Sequence, residues 1–205
     1  MSRLLALTCT LALAACTGTL FKDRAVPPSV YLLSATAGTP GPSIPADLAV
    51  LKPRVRVGLD TDRVAALYPD RRLDYFAGAR WSGPLDEVVH DLAVQMFRTH
   101  ANFRNVSADR SVFANGYWLE IDVLDFQAEY LSADTAPTVH VHLSGRIGTS
   151  ASRRALSQFE ASSRQAAADN RLTAIIAAYE QAADAALADI VSDATAALDK
   201  GLERQ

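Results

Sequence analysis

Two histidines at alternate positions, His140 and His142, are the first residues whose spacing could do chemistry. Residues two apart in a strand share a face, so both imidazoles would project together and could begin a metal site. A structural zinc site needs further ligands, and the only other histidines, His90 and His100, lie in a separate segment. Ser144 and Arg146 share the face of His140 and His142. That company fits a solvated or partner-facing strand better than a metal centre. No metal and no cofactor is expected.

Asp60-Thr61-Asp62 is a second candidate, as half of a carboxylate pair or a calcium loop. The calcium reading fails because the glycine and distal glutamate of an EF-hand loop do not follow. Both aspartates are expected to cap turns or to meet Arg63, Arg71 or Arg72. There is no G-x-S-x-G elbow for a nucleophilic serine and no glycine loop for phosphates. With no catalytic residue to name, the chain is read as a binding protein and not as an enzyme.

The two cysteines, Cys9 and Cys16, both fall in the opening MSRLLALTCTLALAACTGT and suggest a disulfide or redox pair. The surrounding residues argue otherwise. Arg3 gives a short positive start, and Leu4 to Ala14 form an apolar run of signal-peptide length. That run is too short for a membrane-spanning helix, which needs about 20 apolar residues. It ends in Leu13-Ala14-Ala15-Cys16, which resembles the bacterial lipobox. On this reading residues 1–15 are a signal peptide, Cys16 carries a diacylglycerol, 16–29 form a lipidated tether and 30–205 the folded domain. Cys9 is discarded, leaving no free thiol, as suits an oxidising envelope compartment. Two or more acyl chains anchor stably where one binds marginally. The expected location is the periplasm, lipid-anchored. Thr17 stands where an aspartate would mark inner-membrane retention, which favours the outer membrane.

These features need elements to position them. The chain is 49% hydrophobic and 21% charged, with a net charge of −3. This is a globular composition without the basic footprint of a nucleic-acid binder. Val30 to Ser34 is β-prone, ATAGTPGPSIPAD reads as a loop, and Leu48 to Val57 suggests a strand with Pro53 as a bulge. From Pro84, Leu85, Val88, Val89, Leu92, Ala93, Met96 and Phe97 form one apolar helical stripe. Ser82 or Gly83 is the expected cap. Tyr117 to Phe126 and Val139 to Ile147 alternate as half-buried strands, and Leu156 to Ala161 offers a third. Residues from about 170 to 198 form a long alanine-rich helix, which Glu180, Asp184, Asp189 and Asp193 exclude from lipid. The expected fold is α+β: one domain, a mixed or antiparallel sheet of several strands, and two main helices on one face.

The segment GLDTDRVAALYPDRRLDYFAGARW (Gly58 to Trp81), continuing into SGPLDEVVHDLAVQMF, resembles the ABC-type transport auxiliary lipoproteins. The lipobox, the early VYLLS, FRNV (Phe103 to Val106), the late F-x-A strand and the terminal alanine-rich helix extend the similarity. The resemblance implies work with an Mce-type lipid transport system, in which an inner-membrane ABC transporter pairs with Mce-domain proteins. Its member would dock with the Mce component and help lipids pass between the membranes, and a homo-oligomer is one state open to it. Cys16 is the one functional residue it transfers. Tyr75, Phe76 and Trp81 lie among charges, where an aromatic patch could anchor a partner. Trp81 also suits inward packing under the following helix, the stronger of its two readings. The alternatives are a lipid- or solute-binding lipoprotein acting alone and a tethered envelope hydrolase.

Overall fold

The computed structural model describes residues 27–41, 43–108, 116–132, 134–151 and 154–202. The expected signal peptide and the expected lipidation site, Cys16, lie outside the described residues. Among the described residues nine strands and two helices follow one another. The first are β1 (Ser29–Tyr31), β2 (Ser43–Val50), β3 (Arg54–Val55), β4 (Arg63–Leu67) and β5 (Leu73–Trp81). Helix α1 (Leu85–His100) and β6 (Asn102–Ser107) come next. Then come β7 (Tyr117–Glu129), β8 (Thr138–Thr149), β9 (Ala155–Ala166) and helix α2 (Leu172–Leu202).

β7 is the spine of a mixed sheet. β8 runs antiparallel along one edge for its whole length, and β9 pairs antiparallel with β8. Three short strands share the other edge end to end, all parallel to β7. Leu48–Val50 of β2 lie beside Tyr117–Leu119, β3 beside Asp122 and Val123, and Ala66 and Leu67 of β4 beside Ala128 and Glu129. The sheet widens through β6 beside β2, and through β5 and then β1 beside β4.

Alternation puts Leu119, Ile121 and Val123 of β7 and Val139, Val141, Leu143 and Ile147 of β8 in one core. Both helices close over it. α1 buries all seven residues of its apolar stripe, and α2 adds Ile175, Tyr179, Ala183, Leu187, Ile190, Ala194 and Leu198. Burying a large apolar side chain contributes about 1.5–3 kcal/mol each, and the small alanines let α2 approach closely.

The parity of β7 changes midway. Val123 pairs with Leu143 but Asp125 pairs with His142, so Leu124 is an extra residue, a β-bulge. Before it Glu120 and Asp122 face away from the core; after it Asp125, Gln127 and Glu129 do, while Phe126 and Ala128 turn inward. An unbroken pleat would drive Asp125, Gln127 and Glu129 into the core, at the cost of burying charge.

Several local expectations are corrected. Part of the expected Gly/Pro loop is strand: β2 begins at Ser43 and carries Pro45 within an irregularity of its pairing with β6. Pro53 separates β2 from β3 instead of bulging one strand. β4, β5 and β6 are strands beyond those the alternation of the sequence indicates. β5 is interrupted, since Tyr75 pairs with Ala65 but Arg80 with Arg63, and Gly78 takes a φ of 71° in the displaced stretch. β9 extends to Ala166. The residue preceding α1 is Pro84, with no side-chain cap from Ser82 or Gly83. The free amides at that end find other acceptors: Leu85 N–H donates to Thr61 O (3.1 Å) and Glu87 N–H to Asp86 Oδ1 (2.8 Å).

Candidate functional site

The face of β7, β8 and β9 turned away from the helices carries the polar residues. Cross-strand register sets Gln127 beside His140 and His140 beside Arg164; Asp125 lies beside His142, and His142 beside Ser162. His140 is only 8% exposed, and both ring nitrogens are engaged. Nδ1 lies 3.0 Å from Glu129 Oε1, and Nε2 lies 3.0 Å from Ser162 Oγ. Arg164 donates to Glu129 Oε2 and also approaches His140 Nδ1 at 3.1 Å. Gln127 donates to Asp125 Oδ1 and Glu129 Oε1, both at 3.1 Å, and its own oxygen accepts the Phe126 N–H at 2.8 Å. Arg56 donates to Asp125 Oδ1 (3.0 Å) and to the carbonyl of the bulged Leu124 (3.3 Å). Burial works against the charge of Glu129, but hydrogen bonds from Arg164, Gln127 and His140 outweigh it and hold the carboxyl below its usual range.

A cleft of about 440 Å³ opens beside this network. Asp125, Gln127, Glu129, His140 and Arg164 form one side. Arg56, Val57 and Leu59, with Leu67, Arg71 and Leu73 at the β4–β5 turn, complete the lining, Leu67 lying in register beside Glu129.

His140 and His142 do share a face, with rings 6.1 Å apart and nearly parallel. His90 instead meets the Val50 carbonyl from α1 (2.9 Å), and His100 bonds Thr99 (2.9 Å). Among the described residues no group of three or more His, Cys, Asp or Glu is placed to hold a metal ion. Asp62 pairs with Arg80 at 2.6 Å, not with Arg63, Arg71 or Arg72. Arg63 lies over the Tyr75 ring instead (3.9 Å), and Arg72 reaches Asp70 and Asp74.

Of the three aromatics offered to a partner, Trp81 is withdrawn. It is 2% exposed and packs edge-on against Tyr179 (5.2 Å) and Phe126 (6.0 Å), the inward position open to a tryptophan beside a helix start. Tyr75 and Phe76 are half-buried. The Tyr75 hydroxyl donates to Gly58 O (2.8 Å), and Phe76 lies against Tyr130, itself stacked on Tyr68.

Ser162, His140 and Glu129 have the connectivity of a hydrolase triad, which the sequence did not reveal because the three residues lie on three strands. Two features separate them from a working one. Glu129 is already paired with Arg164, which also approaches the Nδ1 of His140. Ser162 stands in the middle of β9, where successive amides point to opposite edges of the strand and do not converge on one oxyanion.

The fold is shared with solved structures. A crystal structure of a Xanthomonas campestris protein assigned to the family DUF330 superposes with a TM-score of 0.75 at 21% identity, covering 85% of this chain and 99% of that one. A second crystal structure, of an uncharacterized protein, gives 0.66 at 14% identity, covering 82% and 99%. A comparison with curated proteins found no match. The family model for the ABC-type transport auxiliary lipoprotein component matches residues 31–191, which takes in every strand after β1 and most of α2. The chain belongs to the ABC-type transport auxiliary lipoprotein family.

Proposed function

We propose that the protein is a lipid-anchored periplasmic accessory of an Mce-type ABC lipid transport system. Acyl chains on Cys16 hold it, at the outer membrane, and its folded domain docks with the Mce-domain component while lipid passes between the membranes. The family match over residues 31–191 carries this reading. The lipobox ending at Cys16 supports the anchor. No helix among the described residues is long and apolar enough to cross a membrane, so the lipid is the attachment proposed.

Crosslinking in intact envelopes followed by affinity purification tests the partners. The expected result is recovery of an Mce-domain protein with ABC transporter subunits. Recovery of neither, under conditions that preserve such complexes, overturns the proposal. Cys16→Ser should abolish lipid labelling of the chain, and labelling that persists would sink the anchor.

One observation favours a second reading, an envelope hydrolase: the Ser162–His140–Glu129 chain. The engagement of Glu129 by Arg164 and the mid-strand place of Ser162 count against it, and adaptor binding is preferred.

A further inference from the structure

The turn between β4 and β5 reads Tyr68-Pro69-Asp70-Arg71-Arg72. Arg71 N–H donates to Tyr68 O (2.9 Å), Tyr68 N–H to Arg72 O (3.0 Å), and Arg72 N–H to Asp70 Oδ1 (3.2 Å). This is a three-residue hairpin loop closed by a residue in the left-handed region, the place glycine ordinarily fills. Here it is filled by Arg71, at a φ of 65°, the one residue other than glycine with positive φ among the described residues. A long side chain at that position carries backbone strain that glycine would not, and such strain gathers at functional sites.

The side chain so placed lines the cleft. Among the described residues the Arg71 guanidinium has no acidic partner, in contrast to its neighbours. Arg56 is paired with Asp125, Arg164 with Glu129, and Arg72 with Asp70 and Asp74. The remaining positive charge of the cleft is therefore that of Arg71. The rim is apolar: Val57 is 96% exposed beside Leu73 and Leu67. About 440 Å³ falls in the size range of small-ligand clefts.

We infer that this cleft binds an anionic amphiphile, a phosphate or carboxylate group joined to a short apolar portion, and that Arg71 receives the anion. A guanidinium suits both anions because its fork can donate two parallel hydrogen bonds. The apolar portion would cover Val57, Leu67 and Leu73. Binding here requires no transport partner, so its failure would leave the proposed docking role standing, and failure to dock would leave this site standing.

Calorimetric titration of the full lipid-anchored chain in phosphatidylcholine nanodiscs tests the site. The probes are dihexanoyl phosphatidic acid, hexanoate, inorganic phosphate and a glutamate hexapeptide. At least one of the two organic anions should bind saturably at one site per chain. The tighter of them identifies the source, phospholipid or fatty acid. Arg71→Gly should weaken that binding about tenfold to a hundredfold, the loss of a charge-assisted hydrogen-bond pair, while its Tm stays level or rises because the strain is relieved. Arg71→Lys should retain part of the affinity without the gain in Tm. No saturable binding, or unchanged affinity in Arg71→Gly, overturns the inference. Inorganic phosphate binding as tightly as the organic probes would remove the amphiphile, and equal binding of the hexapeptide would replace it with an acidic protein segment.

Discussion

The Tyr179 hydroxyl of α2 donates a 2.5 Å hydrogen bond to the backbone carbonyl of Ala65 in β4. It joins the terminal helix to a strand far earlier in the chain. The phenol is fully buried between Trp81 and Phe126, and burial pushes its ionisation well above the ordinary value of 10.0. Tyr179→Phe keeps the ring but leaves the Ala65 carbonyl without its donor. It should cost about 1–3 kcal/mol, whereas Tyr179→Ala should cost about 3–5 kcal/mol, read by urea unfolding. The raised value also has a pH consequence. Stability from the neutral phenol is complete below about pH 10 and declines above it, as the unfolded chain ionises while the folded one stays protonated. Tyr179→Phe should show a shallower alkaline loss than the parent chain; equal slopes would contradict the assignment.

Glu129 sets the opposite limb. Its carboxyl is held below the ordinary 4.5, so the stability it contributes is present above that pH and is lost as the pH falls through its folded value. Thermal melts between pH 7 and pH 3 should show Glu129→Gln less stable than the parent at neutral pH. The difference should narrow below about pH 4.5. A constant difference across the range would refute the role given to this carboxylate.

Two glycines of β8 are places where another residue's ring takes the room of a side chain. A Cβ on Gly145 would strike the Phe159 ring, and one on Gly148 would strike both Trp118 and the Arg154 carbonyl. Phe159 is half-buried on the edge strand and can turn, whereas a backbone carbonyl cannot move alone. Gly148→Ala should therefore destabilise by about 1–3 kcal/mol and Gly145→Ala by less, measured as shifts in the denaturation midpoint. The reverse order would be inconsistent with this packing.

Ser162 should not react as a nucleophile. A fluorophosphonate probe is expected to leave the chain unlabelled at neutral pH. Labelling that disappears in Ser162→Ala and in His140→Gln would instead establish the hydrolase reading.

The legible parts of the sequence were those with uninterrupted periodicity. α1 shows its stripe over four turns, and the apolar face of β8 runs from Val139 to Ile147 as the alternation indicates, while His140 and Ser144 on its polar face are buried and not solvated. β7 was legible only as far as its bulge. Beyond Leu124 the alternation inverts, and Asp125, Gln127 and Glu129 cannot be assigned to the face of Glu120 and Asp122 from spacing alone. The first half of β2 is concealed by Pro45, which breaks its pairing locally, and β5 by the displaced stretch around Gly78. Spacing along the chain does not reveal the polar network because Glu129, His140 and Ser162 come from three strands. The spacing of His140 points to His142 two positions on, while its partners, Glu129 and Ser162, lie on the adjacent strands β7 and β9. Arg71 did carry a local signal: Pro-Asp followed by arginine where a turn of this kind ordinarily has glycine.

Two of the acidic residues that exclude α2 from lipid, Glu180 and Asp184, also hold the segment that follows β1. The Ser34 and Thr36 amides donate to Glu180 (3.3 Å) and Asp184 (3.0 Å), one helical turn apart, and the Gly41 amide to the His100 carbonyl (3.1 Å). If the domain hangs from an N-terminal anchor, mechanical load enters through this path. It meets the three-residue pairing of β1 with β5 first, then these side-chain bonds in sequence, and only afterwards β2 and the spine. Tyr31, Leu33 and Ala35 along this path also pack partly buried against the core, so apolar contacts share the load with these bonds. Load along this path would strip β1 from the edge of the sheet before it reached β2 and the spine.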